Sequence, residues 1–130
     1  MEYILLIIGL LCVAASGVSE AVMDKLQFHY DKSIFSNEKY KQVFWNPNLS
    51  WVNKWKDSSA REEKFTGSST LFVFTTDAWH LFKFFKNTLI FIGLPLIAVG
   101  PMNFILAAVI ARVLYGLVFT IFFDKILVKS

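Results

Sequence analysis

Apolar residues dominate three stretches of the chain, and polar and aromatic residues alternate in the segment between the first two. The first apolar stretch, about Tyr3 to Met23, is long enough to cross a hydrocarbon core of roughly 30 Å as a helix. A second runs without a break from Thr88 to Ala111, but it contains Gly100-Pro101-Met102-Asn103, which is strong turn chemistry. Splitting it there predicts a second span at about 79–99 and a third at about 104–123, joined as an antiparallel hairpin. A rival division makes Thr88–Ala111 one span and leaves Val113–Phe123 as an unexplained apolar tail. The expected fold class is therefore an all-α membrane protein with three transmembrane helices and an aromatic-rich, partly helical cytoplasmic loop over 24–76, the whole of 1–130 forming one membrane domain.

Composition agrees with that class. The chain has 130 residues, of which 55% are hydrophobic and only 18% charged, less charge than a soluble domain of this size usually carries. The single cysteine, Cys12, excludes an intrachain disulfide and a multi-cysteine zinc site, and it lies too deep in the first span for a catalytic thiol at the interface. Twelve of the 13 basic residues, Arg61, Lys83 and Lys86 among them, fall on one side of the three-span arrangement. The positive-inside rule makes that side cytoplasmic, with the amino terminus out and the carboxyl terminus in. Lys83 and Lys86, early in the second span, are expected to snorkel to the near surface. A cleaved signal peptide is the other reading of the first span; Ala14-Ala15-Ser16 offers a cleavage site, but Met1-Glu2-Tyr3 lacks the positive charge of such a leader. Asn48-Leu49-Ser50 fits a glycosylation sequon that matters only if the loop is lumenal.

The exception inside the third span is Arg112. An arginine at mid-membrane costs about 2.5–3.5 kcal/mol on insertion scales, so it needs a partner. Ala108 and Gly116 lie one turn away on the same face and let a neighbour approach. Pro95 in the second span frees the carbonyl of Phe91, which a hairpin turning near Pro101 places at similar depth. Helical side chains lean toward their amino terminus, here toward the turn. Arg112 is thus expected to cap the break made by Pro95. The alternatives are an anionic ligand or lipid, an ion path, or a partner subunit.

A second group lies at the cytoplasmic boundary. Glu20 and Asp24 share one helical face, Asp77 and His80 another, and His29 and Asp31 follow the first span. Carboxylates with two histidines can bind zinc, iron or manganese, or relay protons, although this spacing matches no known metal motif. The plainer reading needs no cofactor: Asp77 caps the second helix and His80 is an interfacial aromatic beside Trp79.

The loop carries Phe35, Tyr40, Phe44, Trp45, Trp51, Trp55 and other aromatics with lysines between them, which suits a segment lying on headgroups or folded as short helices. Trp51 and Trp55 are expected on one helical face, capped by Asn48 or Ser50 after Pro47. Glu62-Glu63-Lys64 reads as a solvated turn, and Leu71–Thr76 as a short strand or an extension of the second helix. Asp31, Glu38, Asp57, Glu62 and Glu63 dilute the positive charge, so no nucleic-acid role is expected.

The segments Phe44-Trp45-Asn46-Pro47, Ser50-Trp51-Val52-Asn53-Lys54-Trp55, Gly67-Ser68-Ser69-Thr70 and Thr76-Asp77-Ala78-Trp79-His80-Leu81 resemble small bacterial membrane proteins of unassigned function, over roughly residues 20–90. The resemblance implies a bacterial inner membrane and carries over no activity, cofactor or catalytic residue. The leading functional expectation is a non-enzymatic subunit or scaffold of a membrane complex, partnered by the bilayer and by another membrane protein or its own copies. It would pack through the small residues Gly17, Ala21, Ala108 and Gly116. The alternatives are a metal-dependent membrane enzyme acting on lipid or quinone, a small oligomeric pore or membrane-disrupting effector, and a transporter-like or sensor role.

Overall fold

The computed structural model describes residues 1–57 and 62–130; Arg61, counted above among the basic residues, lies outside them. The first helix, α1 (Glu2–Phe28), is followed by 3₁₀ turns at Tyr30–Lys32 and Ile34–Ser36. Two one-turn helices come next, α2 (Gln42–Trp45) and α3 (Pro47–Ser50), and then the long helices α4 (Ala78–Ala98) and α5 (Phe104–Ile121). No strand occurs among the described residues, which hold only two isolated β-bridges, Ser33 with Val128 and Trp55 with Glu63. Three helices are long and apolar enough to cross a membrane: α1, α4, and α5 with its extension to Ile126. The rival single span over Thr88–Ala111 is not formed, because the chain breaks between α4 and α5. Asn103 caps α5 there, its side chain accepting from the amides of Ile105 at 3.0 Å and Leu106 at 3.3 Å.

The boundaries differ from the expected ones in one instructive place. α1 runs past Met23 to Phe28, so Glu20, Asp24 and Lys25 are helical and the loop starts at His29 rather than Asp24. The neighbours explain this. Lys86 pairs with Glu20 across to α4, and the Lys25 ammonium lies 4.0 Å from the centre of the Phe123 ring, so these charged residues are held by contacts rather than released to solvent.

α1 is the hub. It runs antiparallel to α4, with Gly9 against Gly93, Ser16 against Lys86 and Gln27 against Trp79. It runs parallel to α5, with Gly17 against Tyr115 and Lys25 against Phe123. α4 and α5 touch each other little. The expected antiparallel hairpin is therefore opened, with α1 seated between its arms. Small residues cause this. A Cβ at Gly9 would meet the Gly93 carbonyl oxygen at 2.8 Å, and one at Gly17 would meet the Tyr115 carbonyl oxygen at 2.7 Å. Only bare backbone lets either helix approach α1 so closely.

The packed residues form two clusters. Leu6, Val13, Ile97, Ala107 and Ala111 fill the end away from the loop. Ala21, Val22, Leu26, Phe35, Ala78 and Leu127 fill the loop end, covered by aromatic side chains. Trp45 centres that cover: it stacks on Phe35 with ring centres 4.5 Å apart, meets Tyr40 edge-on, and reaches Phe82 of α4. The carboxyl-terminal tail also anchors here. After a wide π turn at Phe122–Ile126, the Ile34 amide donates to the Leu127 carbonyl and the Lys129 amide to the Lys32 carbonyl.

Four local expectations for the loop are corrected. The α3 cap is Asn46, one residue ahead of Pro47, accepting from the Asn48 amide at 3.0 Å; proline suits the first helical position because its missing N–H would be unsatisfied there anyway. Trp51 and Trp55 do not share a helical face, since Trp55 bridges to Glu63 after a 3₁₀ turn at Trp51–Asn53. Leu71–Thr76 is neither strand nor helix extension but turns ending in a 3₁₀ turn at Val73–Thr75. Glu63 is not simply solvated: hydrogen bonds from the Ser69 hydroxyl, the Gly67 amide and the Ser69 amide hold its carboxyl below the usual range. Glu62 does lie at the surface, paired with Lys56.

Candidate functional site

The residues singled out from the sequence fall into three separate places. At the loop end of α4, Asp77 is in extended conformation and 3% exposed. It caps the helix by accepting from the His80 amide at 2.9 Å. The same carboxylate takes the His80 ring through Nδ1, at 2.9 Å to Oδ1 and 2.8 Å to Oδ2, and lies 3.4 Å from the Lys54 ammonium. Burial pushes the Asp77 carboxyl up, but the His80 ring and amide bonds and the Lys54 charge outweigh it, so the group sits below the ordinary carboxylate value. Asn53 completes the attachment, donating to the carbonyls of Val43 and Thr76. One carboxylate thus ties the loop to the mouth of the bundle.

A cleft of about 330 Å³ opens beside this knot, with Gln27, Asn48, Ser50, Lys54 and Trp79 among its walls. With Nδ1 committed to Asp77, His80 keeps Nε2 for a proton or a hydrogen bond. Lys54 was not singled out from the sequence, because only the folded loop brings it to Asp77.

His29 lies elsewhere. Its ring meets Phe123 edge-on with centres 5.5 Å apart, in a shallow cleft with Tyr30, Asp31 and Lys32. Among the described residues no group of three or more His, Cys, Asp or Glu side chains is placed to hold a metal ion. The donor set considered for zinc, iron or manganese is instead divided, with Asp77 and His80 in one place, Glu20 and Asp24 in another, and His29 against Phe123, bonded to neither pair.

The third place is a charged layer within the long helices. The Lys86 side chain leans one turn toward the loop end and meets Glu20 there. Its Nζ lies 2.6 Å from Glu20 Oε2, both side chains about a quarter exposed, although the angle falls short of a hydrogen bond. Lys83 alone stays near the loop end, over the Trp79 ring. Ser16, fully buried on α1, donates to the Lys86 carbonyl at 3.1 Å and fixes the register of α4.

Arg112 does not reach the Phe91 carbonyl. Its side chain runs the opposite way along α5, with Nη1 3.2 Å from where a Cβ on Gly116 would stand and the guanidinium 5.9 Å from the Tyr115 ring centre. Phe91 itself is 80% exposed. Two physical facts reverse the expected direction: Gly116 leaves a bare path toward the loop end, and α1 separates the arms of the hairpin. Among the described residues Arg112 makes no hydrogen bond or ion pair. It lines a cleft of about 370 Å³ between α1 and α5 together with Glu20, Asp24, Tyr115 and Thr120.

No protein-family model, no curated protein and no solved structure matches the chain.

Proposed function

We propose that this chain is a non-enzymatic integral membrane protein that serves as a subunit or scaffold of a membrane complex. The observation that carries the reading is the poor cover of α5. Of its 18 residues only Ala107 and Ala111 are buried, and large apolar side chains such as Ile105, Val109, Val113 and Leu117 are exposed. A helix that buries only two alanines fully and packs through one side, at Tyr115 and Phe119, leaves its other face for lipid or for another helix. The ionisable groups also have structural tasks that favour this reading over catalysis, Asp77 as cap and tether and Glu20 as the counter-ion of Lys86.

In this reading α1, α4 and α5 cross a bacterial inner membrane, as the resemblance of the loop motifs implies. The loop, with its lysines, faces the cytoplasm, and the amino terminus lies outside. The test is mild-detergent affinity purification from the native membrane, with protein mass spectrometry and elemental analysis on one sample. A stoichiometric polypeptide partner, or a defined homo-oligomer, without metal is the expected result. A chain that comes out monomeric with stoichiometric zinc, iron or manganese contradicts it.

A further inference from the structure

The cleft between α1 and α5 has a graded chemistry that points to a ligand. α1 and α5 run parallel, so positions along both helices can be read as one depth scale. Nearest the loop end the walls are Asp24 and Thr120; next come Glu20 and Gly116, where the Arg112 guanidinium lies. Arg112 and Tyr115 also wall a second, apolar groove of about 320 Å³, lined otherwise by Val13, Ile90, Leu94, Ala108 and Ala111. The order along the cleft is therefore carboxylate, guanidinium, hydrocarbon. Neither Asp24 nor Arg112 makes an ion pair or hydrogen bond with another described residue, and Glu20 is shared with Lys86. The Arg112 guanidinium reaches the level of Gly116 and Asp24 is level with residue 122, so about 9 Å of helix rise separates the two charges, with Glu20 between them.

We propose that this cleft holds one phospholipid bearing a primary ammonium headgroup, with its ammonium at Asp24 and Glu20, its phosphate at Arg112 and an acyl chain in the apolar groove. The inference rests on the reading that α1 and α5 span a membrane. Charge complementarity selects the headgroup. Arginine is suited to bidentate phosphate binding. An anionic headgroup with no cationic end would meet the Asp24 carboxylate, which no ion pair neutralises, beside a Glu20 already held by Lys86. A quaternary ammonium would satisfy their charge but could donate them no hydrogen bond, whereas a primary ammonium donates three. The polarity order is that of a lipid in the leaflet on the loop side, with its headgroup toward the loop and its tail toward the far end. Arg112 then has its counter-ion without a partner helix.

The test uses the full chain in lipid discs containing equal parts of phosphatidylethanolamine, phosphatidylglycerol and phosphatidylcholine, read by native mass spectrometry for lipid retained on the protein. The expected result is one phosphatidylethanolamine per chain, retained over each of the other two by at least about tenfold, the discrimination of one charge-assisted hydrogen bond. Arg112→Gln abolishes retention. Asp24→Asn shifts preference toward phosphatidylglycerol, because it removes the repulsion that excludes an anion; a merely structural role for Asp24 would not reverse the order of lipids. Equal retention of the three lipids, phosphatidylglycerol preference in the unaltered chain, or an unchanged lipid order in D24N overturns the proposal. So does a polypeptide partner lost in R112Q while the lipid order stays the same. If R112Q does not fold by far-UV circular dichroism, the D24N reversal decides alone. Alkaline carbonate extraction of the starting membranes separates the two readings. Release of the chain overturns the membrane reading and this proposal together, whereas a resistant chain without lipid preference overturns only this one.

Discussion

Replacing Lys86 with methionine removes the ammonium that faces Glu20 at 2.6 Å while keeping an unbranched apolar stem of similar length. Removing one partner of a fully buried ion pair costs about 3–5 kcal/mol, because the other charge is left uncompensated. Here about a quarter of each side chain is exposed and the contact is not aligned as a hydrogen bond, which brings the expected loss to about 1.5–3 kcal/mol. The orphaned Glu20 also faces Asp24 one turn along α1, so like-charge repulsion adds to the loss. Glu20→Gln should cost less, since the freed Lys86 ammonium can snorkel toward the loop end. The double variant E20Q/K86M should recover much of the K86M loss, giving a coupling of about 1–2 kcal/mol. The assay is unfolding in mixed micelles of rising dodecyl sulfate fraction, followed by circular dichroism for the four chains. Purely additive losses, or an E20Q variant less stable than K86M, would refute the reasoning that these two charges hold α1 to α4.

Three further outcomes follow from the packing and from the loop knot. Gly93→Cys should form a disulfide with Cys12 on mild oxidation, the oxidant taking two electrons, seen as a loss of two hydrogen atoms in the intact mass. A Cβ at Gly93 would stand 3.0 Å from that of Cys12 and 2.9 Å from the Gly9 carbonyl oxygen, so the helices must part slightly, which also brings the Cβ pair toward the separation of about 3.5–4.5 Å that a disulfide needs; failure to oxidise in a variant that keeps its helical far-UV circular dichroism would mean that α1 and α4 do not meet there. Gly17→Leu drives a side chain into the Tyr115 carbonyl and should cost at least about 1–3 kcal/mol, whereas Ala15→Leu on the exposed face of α1 should change stability by under about 0.5 kcal/mol; equal effects in a thermal melt would contradict the close approach of α5. Because the Asp77 carboxyl is held below its ordinary value, its contribution is present above about pH 4 and is lost as pH falls further. Asp77→Asn should therefore cost about 1–2 kcal/mol at neutral pH, speed protease cleavage of the loop, and flatten the acid-side loss; an unchanged acid profile would rule Asp77 out as the tether.

Hydropathy located the three long helices because a run of apolar residues ended by Gly100-Pro101 leaves few other arrangements of backbone hydrogen bonds. It placed the end of the first span too early because Asp24 and Lys25 look like an exit from the membrane until the partners of α1, Phe123 among them, are brought beside them. The Asp77 cap follows from local chemistry, an aspartate followed directly by an apolar helical run. Its bond to Lys54 does not, because 23 residues separate the two and only the folded loop closes that gap. The direction of Arg112 was misjudged for a related reason. The general lean of helical side chains favours the turn, but one glycine at position 116 and the insertion of α1 between α4 and α5 decide otherwise. Gly9, Gly17 and Gly93 were the available signal for that insertion, since they are small residues on facing helices at matching depths.

The central claim is that α1, α4 and α5 cross one membrane, with the aromatic loop and the carboxyl terminus on the cytoplasmic side. Reporter fusions at Asn37, Gly100 and Ser130 test it most directly, pairing a phosphatase active only outside the cytoplasm with a fluorescent protein that matures only inside. The account predicts fluorescence at Asn37 and Ser130 and phosphatase activity at Gly100. Phosphatase activity at Asn37, or the same reporter response at Gly100 and Ser130, would contradict it.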